Sequence, residues 1–145
     1  MDYLKKRSRN FSHGDTAVPL DEAVIQQQVG TISAHANTAR ALVLDAARAI
    51  EIANEATGAP EWERLVDVAV LRTSQVKIAL DRSALEASSG IFEVGGASAA
   101  SQEVNLDRHW RNIRTLTLHN PTSYKAVAVG RYLSTGAPFP DNGFF

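Results

Sequence analysis

"PLDEAVIQQQVGTISAHANTARALVLDAARAIEIANEATGAP", residues 19–60, decides the fold. Within it Ile25, Ile32, Ala36, Ala39, Val43, Ala46, Ile50 and Ala53 follow one another at steps of seven, four, three, four, three, four and three. Steps of three and four place these side chains on one stripe of a long α-helix. Asp21 is the expected N-cap, and Gly58 followed by Pro60 is the expected stop. So much of the stripe is alanine that a neighbouring helix can approach closely. A second helix is expected from Pro60 to about Ser89, with Leu71, Ile78 and Leu85 in heptad register and Gly90 ending it. "GIFEVGGASAASQE" (90–103) then interrupts the helical pattern with glycines and other small residues. A short helix follows through "NLDRHWRNIRT" (105–115), with a break at Asn120-Pro121. A final helix runs from about Pro121 to Ser134, and the tail "TGAPFPDNGFF" (135–145) carries turn chemistry and reads as extended. No segment alternates with period two, so no sheet is expected. The fold class is therefore all-α, an up-and-down helical bundle.

At 145 residues the chain is most simply one domain, long enough to bury roughly two-thirds of the surface its unfolded form exposes. The front end, "MDYLKKRSRNFSHG", reads as the last turns of a helix whose beginning is missing, because its few apolar residues cannot stabilise a short helix alone. Residues 1–20 are thus assigned to a helix end and linker, and residues 21–145 to the bundle domain. The alanine-rich stripes want more partners than one chain supplies, which points to a homo-oligomer or a larger assembly. The formal net charge of −1, with 21% charged residues, argues against a nucleic-acid binder. Cysteine is absent, which removes disulfides, thiolate metal sites and cysteine nucleophiles. The charged N-terminus lacks the apolar core of a signal peptide, and nothing approaches a membrane-spanning run, so a soluble cytoplasmic protein is expected. In that setting the Asn10-Phe11-Ser12 sequon carries no weight.

The chemistry-bearing residues gather late, in "NLDRHWRNIRTLTLHNPTSYK" (105–125). Gly95 and Gly96 with Ala97 and Ser98 form a small-residue loop whose backbone N–H groups can face an anion. The same loop also suits a plain turn between helices. Arginine suits a phosphate, since its planar fork donates paired hydrogen bonds and stays charged. Lys5, Lys6, Arg7 and Arg9 equally suit a solvated helix end, where positive charge is favoured. His119 can donate or accept a proton near neutral pH, its unperturbed pKa being about 6.5. Its plainer reading is a helix-end residue before Pro121. Trp110 is read as a core or interface anchor. His13 and His35 lack ligand-spaced partners, and no metal site is expected.

"FEVGGASA" followed by the 105–125 stretch resembles the C-terminal helical domain of the acyl-CoA dehydrogenase fold. More closely, it resembles the flavin-dependent monooxygenases of sulfur-compound degradation, the dibenzothiophene and dimethylsulfone monooxygenase type. The resemblance runs from "RSRNF" to "YKAVAVGRYL" and is most specific between "DRHWRN" and "HNP". In such proteins an N-terminal helical domain and a β-barrel-like middle domain come first. Neither precedes Tyr3, so the chain is similar to a detached C-terminal domain, expected to be inactive alone. The resemblance implies reduced FMN delivered by a separate flavin reductase and a small sulfur-containing or aromatic substrate. It implies that the loop of Gly95, Gly96, Ala97 and Ser98, together with Arg9 and Arg111, contacts the cofactor. Arg7 rivals Arg9, which stands two residues before Phe11 where the dehydrogenases usually space the pair by three. Arg111-Asn112 matches the family's Arg-Asp pair with the acid lost. His119 is implied to sit against flavin and substrate as the catalytic residue, able to protonate an oxygenated flavin. His109 and Asn120 are placed in the substrate pocket. Asn120 stands where many acyl-CoA dehydrogenases carry a catalytic glutamate, and asparagine cannot abstract a proton. An FAD-dependent dehydrogenase domain and a non-catalytic assembly module remain the alternatives.

Overall fold

The alanine-rich stretch forms one unbroken helix in the computed structural model, which describes residues 2–6, 9–142 and 145, and only the backbone of Asp2 and Tyr3. Among the described residues the order is α1 (Asp2–Lys6), a 3-10 turn (Pro19–Asp21), α2 (Ala23–Glu55), α3 (Trp62–Gly95), a second 3-10 turn (Ala97–Ala100), α4 (Asp107–Leu118) and α5 (Thr122–Thr135). These residues include no strand, so the chain is all-α as its periodicity requires.

Two boundaries differ from the sequence reading. Asp21 is not the N-cap of α2: it lies inside the first 3-10 turn, and the bond from Gln26 N–H to the Glu22 carbonyl (2.9 Å) marks Glu22 as the boundary residue. The buried Pro19 opens that turn, where its fixed φ suits a tight reversal. Gly90 does not end α3, which runs on to Gly95. A Cβ at Gly90 would lie 2.0 Å from Gln28 Nε2, so this buried glycine makes room for the Gln28 side chain of α2. The helix stops at Gly96 (φ 66°, ψ −173°), a backbone conformation essentially reserved for glycine. The stop after α2 is as read, with Gly58 at φ 85°.

The chain divides into two compact units. One comprises residues up to Asn37 together with Ala84–Arg114. Its core joins Leu4, Ile25 and Val94, with Leu20, Val29 and Ile32 packed around them. The other comprises Thr38–Ser83 and Thr115–Phe145. There the buried positions are small, Ala46, Ala53, Ala69, Ser74, Thr117 and Val129. The stripe expected along α2 is only partly covered, since Val43 and Ile50 remain 50% and 42% exposed. Leu42 and Ala49 are half-buried beside Ala46 and Ala53, so the packed face is turned toward the alanines that allow close approach. The tail folds back on α5: Tyr132 stacks on Phe139 (4.4 Å between centroids), Phe139 meets Phe145 (5.6 Å), and Lys125 Nζ lies 3.7 Å over the Phe145 ring.

Candidate functional site

Asparagines mark both ends of α4, and each adopts a positive φ, 49° at Asn105 and 55° at Asn120. Asparagine enters this left-handed region more readily than other residues with a Cβ. Asn105 thereby brings its groups onto the first turn of α4. Its carbonyl accepts from Arg108 Nη1 (2.9 Å) and its Oδ1 from Arg111 Nη2 (3.2 Å). Arg111 also pairs with Asp107 one turn earlier. An acid partner for Arg111 therefore comes from within its own helix. Nothing in the family pattern pointed to Asp107, although its i,i+4 spacing to Arg111 is a signal for an ion pair.

His119 follows α4 directly, and its N–H donates to the Thr115 carbonyl (3.1 Å). Its imidazole is exposed and has no hydrogen bond among the described residues. Asn120 then ends the helix with its left-handed turn, and Pro121 (φ −56°, ψ 130°) leads into α5. This turn is fastened on both sides. Lys77 Nζ donates to the Leu116 carbonyl (3.2 Å) and pairs with Asp81 (3.2 Å), while the Thr122 hydroxyl donates to the same Asp81 carboxylate. The clamp holds the end of α4 and the start of α5 to α3, bracketing His119 and Asn120. Sequence reading missed it, because only the Lys77–Asp81 spacing gives any hint. Lys125 projects nearby, its ammonium held below the ordinary lysine range first by burial and then by repulsion from Lys77.

The two residues assigned to a substrate pocket line different cavities. Asn120 borders one of about 500 Å³ with Pro121, Tyr124, Lys125, Arg131 and Phe145. His109 borders one of about 600 Å³ in the first unit, otherwise walled by Ser33 and by apolar side chains including Leu4, Ile32, Val94 and Leu106. Arg9, the loop of Gly95, Gly96, Ala97 and Ser98, His109 and Arg111 belong to the first unit, and His119 and Asn120 to the second. Arg9, Ala97 and Ser98 are exposed, whereas Gly95 is buried. The Arg9 guanidinium makes no hydrogen bond or ion pair among the described residues. Arg7, its rival, lies outside the described residues. An uncommitted guanidinium can meet an anionic group, and the bend at Gly96 leaves backbone that no side chain of its own covers. Among the described residues no three His, Asp or Glu side chains converge as metal ligands, and no helix is long and apolar enough to cross a membrane.

The buried Glu22 was not singled out by any motif. Its Oε1 receives the Thr16 N–H (2.6 Å), the Thr16 hydroxyl (2.8 Å) and Asn10 Nδ2 (2.7 Å). The Thr16 hydroxyl and then its N–H hold this carboxyl below the usual range, burial opposes them, and Asn10 adds to the lowering.

The family model for the acyl-CoA dehydrogenase C-terminal domain matches residues 1–124. The probable FMNH2-dependent monooxygenase SfnC of Pseudomonas putida is 31% identical over 95% of this chain and 35% of its own length. Dibenzothiophene monooxygenase of Mycolicibacterium goodii is 31% identical over 96% of this chain and 34% of its own. Among solved structures, methanesulfinate monooxygenase MsuC of Pseudomonas fluorescens superposes with a TM-score of 0.84 at 27% identity, over 99% of this chain and 37% of that one. FMN-bound TdsC of Paenibacillus sp. A11-2 gives 0.80 at 26%, over 99% and 35%. The chain therefore spans about a third of the length of these relatives.

Proposed function

The chain belongs to the family of acyl-CoA dehydrogenase C-terminal domains, and on that basis we propose that it serves as the C-terminal helical domain of a reduced-flavin-dependent monooxygenase. The substrate class is a small sulfur-containing or aromatic molecule, and the cofactor is FMN, reduced by a partner flavin reductase. One observation carries the reading: proteins that match 95% or more of this chain are named as monooxygenases, one of them FMNH2-dependent and one solved with FMN.

Arg9 and the loop of Gly95, Gly96, Ala97 and Ser98 would hold the cofactor, the guanidinium on its phosphate and the loop against an edge that side chains would block. Arg111 takes part through the orientation that Asp107 and Asn105 give it. Reduced FMN, when bound, supplies the electrons that split dioxygen, one oxygen atom passing to the substrate and the other leaving as water. His119 is the group that holds and moves a proton: its exposed imidazole has no partner among the described residues to compete for it, and the clamp at Asp81 fixes the turn that presents it. Asn120 has no ionisable group, which supports oxygenation over abstraction of a substrate proton. His109 and Asn120 serve as pocket walls. Alone the chain does not catalyse, since one wall neither excludes water nor fixes a substrate. The working form is a cytoplasmic homo-oligomer, a dimer or tetramer, supported by apolar side chains left open on α2.

The test is a chimera in which this chain replaces the matching third of the M. goodii dibenzothiophene monooxygenase. With reduced FMN it is expected to oxygenate dibenzothiophene and to leave acyl-CoA unoxidised. Reduction of an electron acceptor by acyl-CoA, without oxygenation, would overturn the reading in favour of a dehydrogenase.

A further inference from the structure

We infer that Glu22 is a positioning residue for Arg9, acting through the loop that precedes α2. The inference rests on the reading that Arg9 meets the flavin phosphate. Its structural basis is independent of that reading. Residues 10–16 contain no regular element apart from turns, yet they are tied to one carboxylate oxygen. Thr16 N–H, the Thr16 hydroxyl and Asn10 Nδ2 converge on Glu22 Oε1 at 2.6, 2.8 and 2.7 Å. Asn10 closes the loop on itself, donating to the Thr16 carbonyl (2.6 Å) and accepting the Phe11 N–H (2.8 Å). Gly14 lies so near this knot that a Cβ there would sit 2.4 Å from Asn10 Nδ2 and 2.7 Å from Glu22 Oε1. Glu22 is 7% exposed and stands at the boundary of α2, a helix of 33 residues.

Arg9 is joined directly to Asn10, which the knot holds through Glu22, Thr16 and Phe11. Its side chain is exposed and its guanidinium has no partner among the described residues. A long, flexible cation beginning from a fixed backbone loses less freedom on meeting a phosphate than one beginning from a loose loop. Glu22 would thus set the strength of the phosphate contact without touching the flavin. In Glu22→Gln the amide oxygen could accept the same three donors, whereas Glu22→Ala leaves no side-chain acceptor for them.

The experiment is titration of the chimera that carries this chain with FMN and with riboflavin, which lacks the phosphate. Wild type, Arg9→Ala, Glu22→Ala, Glu22→Gln and the Arg9→Ala/Glu22→Ala double variant are compared. Wild type is expected to prefer FMN by roughly tenfold to a hundredfold, the scale of hydrogen bonds to a charged group. Arg9→Ala removes the preference, Glu22→Ala removes most of it, and the double variant loses no more than Arg9→Ala, because both act on one contact. Glu22→Gln retains most of the preference. Amide hydrogen exchange across residues 10–16 supplies a readout independent of flavin, with exchange accelerated in Glu22→Ala and in Gly14→Ala. Gly14→Ala perturbs the knot while keeping both Glu22 and Arg9, and it is expected to lose FMN preference as well. If Glu22→Ala keeps the preference that Arg9→Ala loses, or leaves exchange unchanged, the inference is wrong and the Arg9 reading stands. A wild type without preference, or an Arg9→Ala variant with the wild-type preference, overturns the Arg9 reading and this inference with it.

Discussion

Asn120 draws two meanings from one position. In the function proposed above it stands where a dehydrogenase would carry its base. In the structure it is also a residue with φ 55° that ends α4. The second role makes a physical prediction: Asn120→Gly should fold with near wild-type stability, while Asn120→Val should cost about 1–2 kcal/mol because a β-branched side chain disfavours this conformation. Chemical denaturation of the two variants measures the difference. Glu22 makes a prediction in pH. Its carboxyl is held below the ordinary range by Thr16 and Asn10, so the stability it contributes is present above about pH 4.3 and is lost as pH falls through the depressed native value. Thermal melts should therefore show the wild type losing more stability than Glu22→Gln on acidification below about pH 4.3. The residue scale was unevenly legible in the sequence. Asp107 and Arg111 announce themselves by helical spacing, but the bonds from Thr16 and Asn10 to Glu22 span six and twelve residues outside any α-helix. No periodic signal encodes such a knot.

At the scale of elements, periodicity identified the long helices and the break before α5. Beyond the N-cap of α2, it misjudged one glycine and one helix face. Glycine can stop a helix or admit a neighbour, and at Gly90 the neighbour is Gln28. Gly90→Ala should stay within about 1 kcal/mol of wild type, since the gain in helix propensity offsets turning aside a flexible amide. Gly90→Ile should cost about 1–3 kcal/mol by overpacking, which denaturant titration of the pair would reveal. The stripe of α2 was the second misjudgment. Steps of three and four admit two adjacent faces, and packing takes the one that carries Leu42 and Ala49 and leaves out Val43 and Ile50. Ile25, at 2% exposed, is a true core residue, and Ile25→Ala should cost about 2–5 kcal/mol. The clamp of Lys77, Asp81 and Thr122 belongs to this scale too, because it joins three elements through contacts up to 41 residues apart.

For the whole molecule, each compact unit has its own buried set, and much apolar surface remains open. On α2, Val43, Leu44, Ile50 and Ile52 are 42–54% exposed, and on α5 Val127 and Leu133 exceed 60%. Copies of the chain are expected to associate through such surfaces. Sedimentation should give twice or four times the mass of one chain, and Leu44→Glu with Ile50→Glu should reduce it while helicity is kept. A single-chain mass for the unmodified protein would contradict this. The alanine content of the stripe made the need for partners visible beforehand, but the identity of the partner face depends on which side chains packing leaves out. The candidate site was legible in the same partial way: motif residues could be named singly, whereas their distribution over two units could not.

The most direct measurement follows isotopically labelled dioxygen into dibenzothiophene, using the chimera that carries this chain and its His119→Ala variant. Both proteins should fold and bind FMN, because the His119 imidazole is exposed and outside the packed core. Labelled product is expected from the first, with a loss of roughly 100- to 10,000-fold in the second, the scale of a displaced proton-transfer group. Equal labelling by both would contradict the role given to His119.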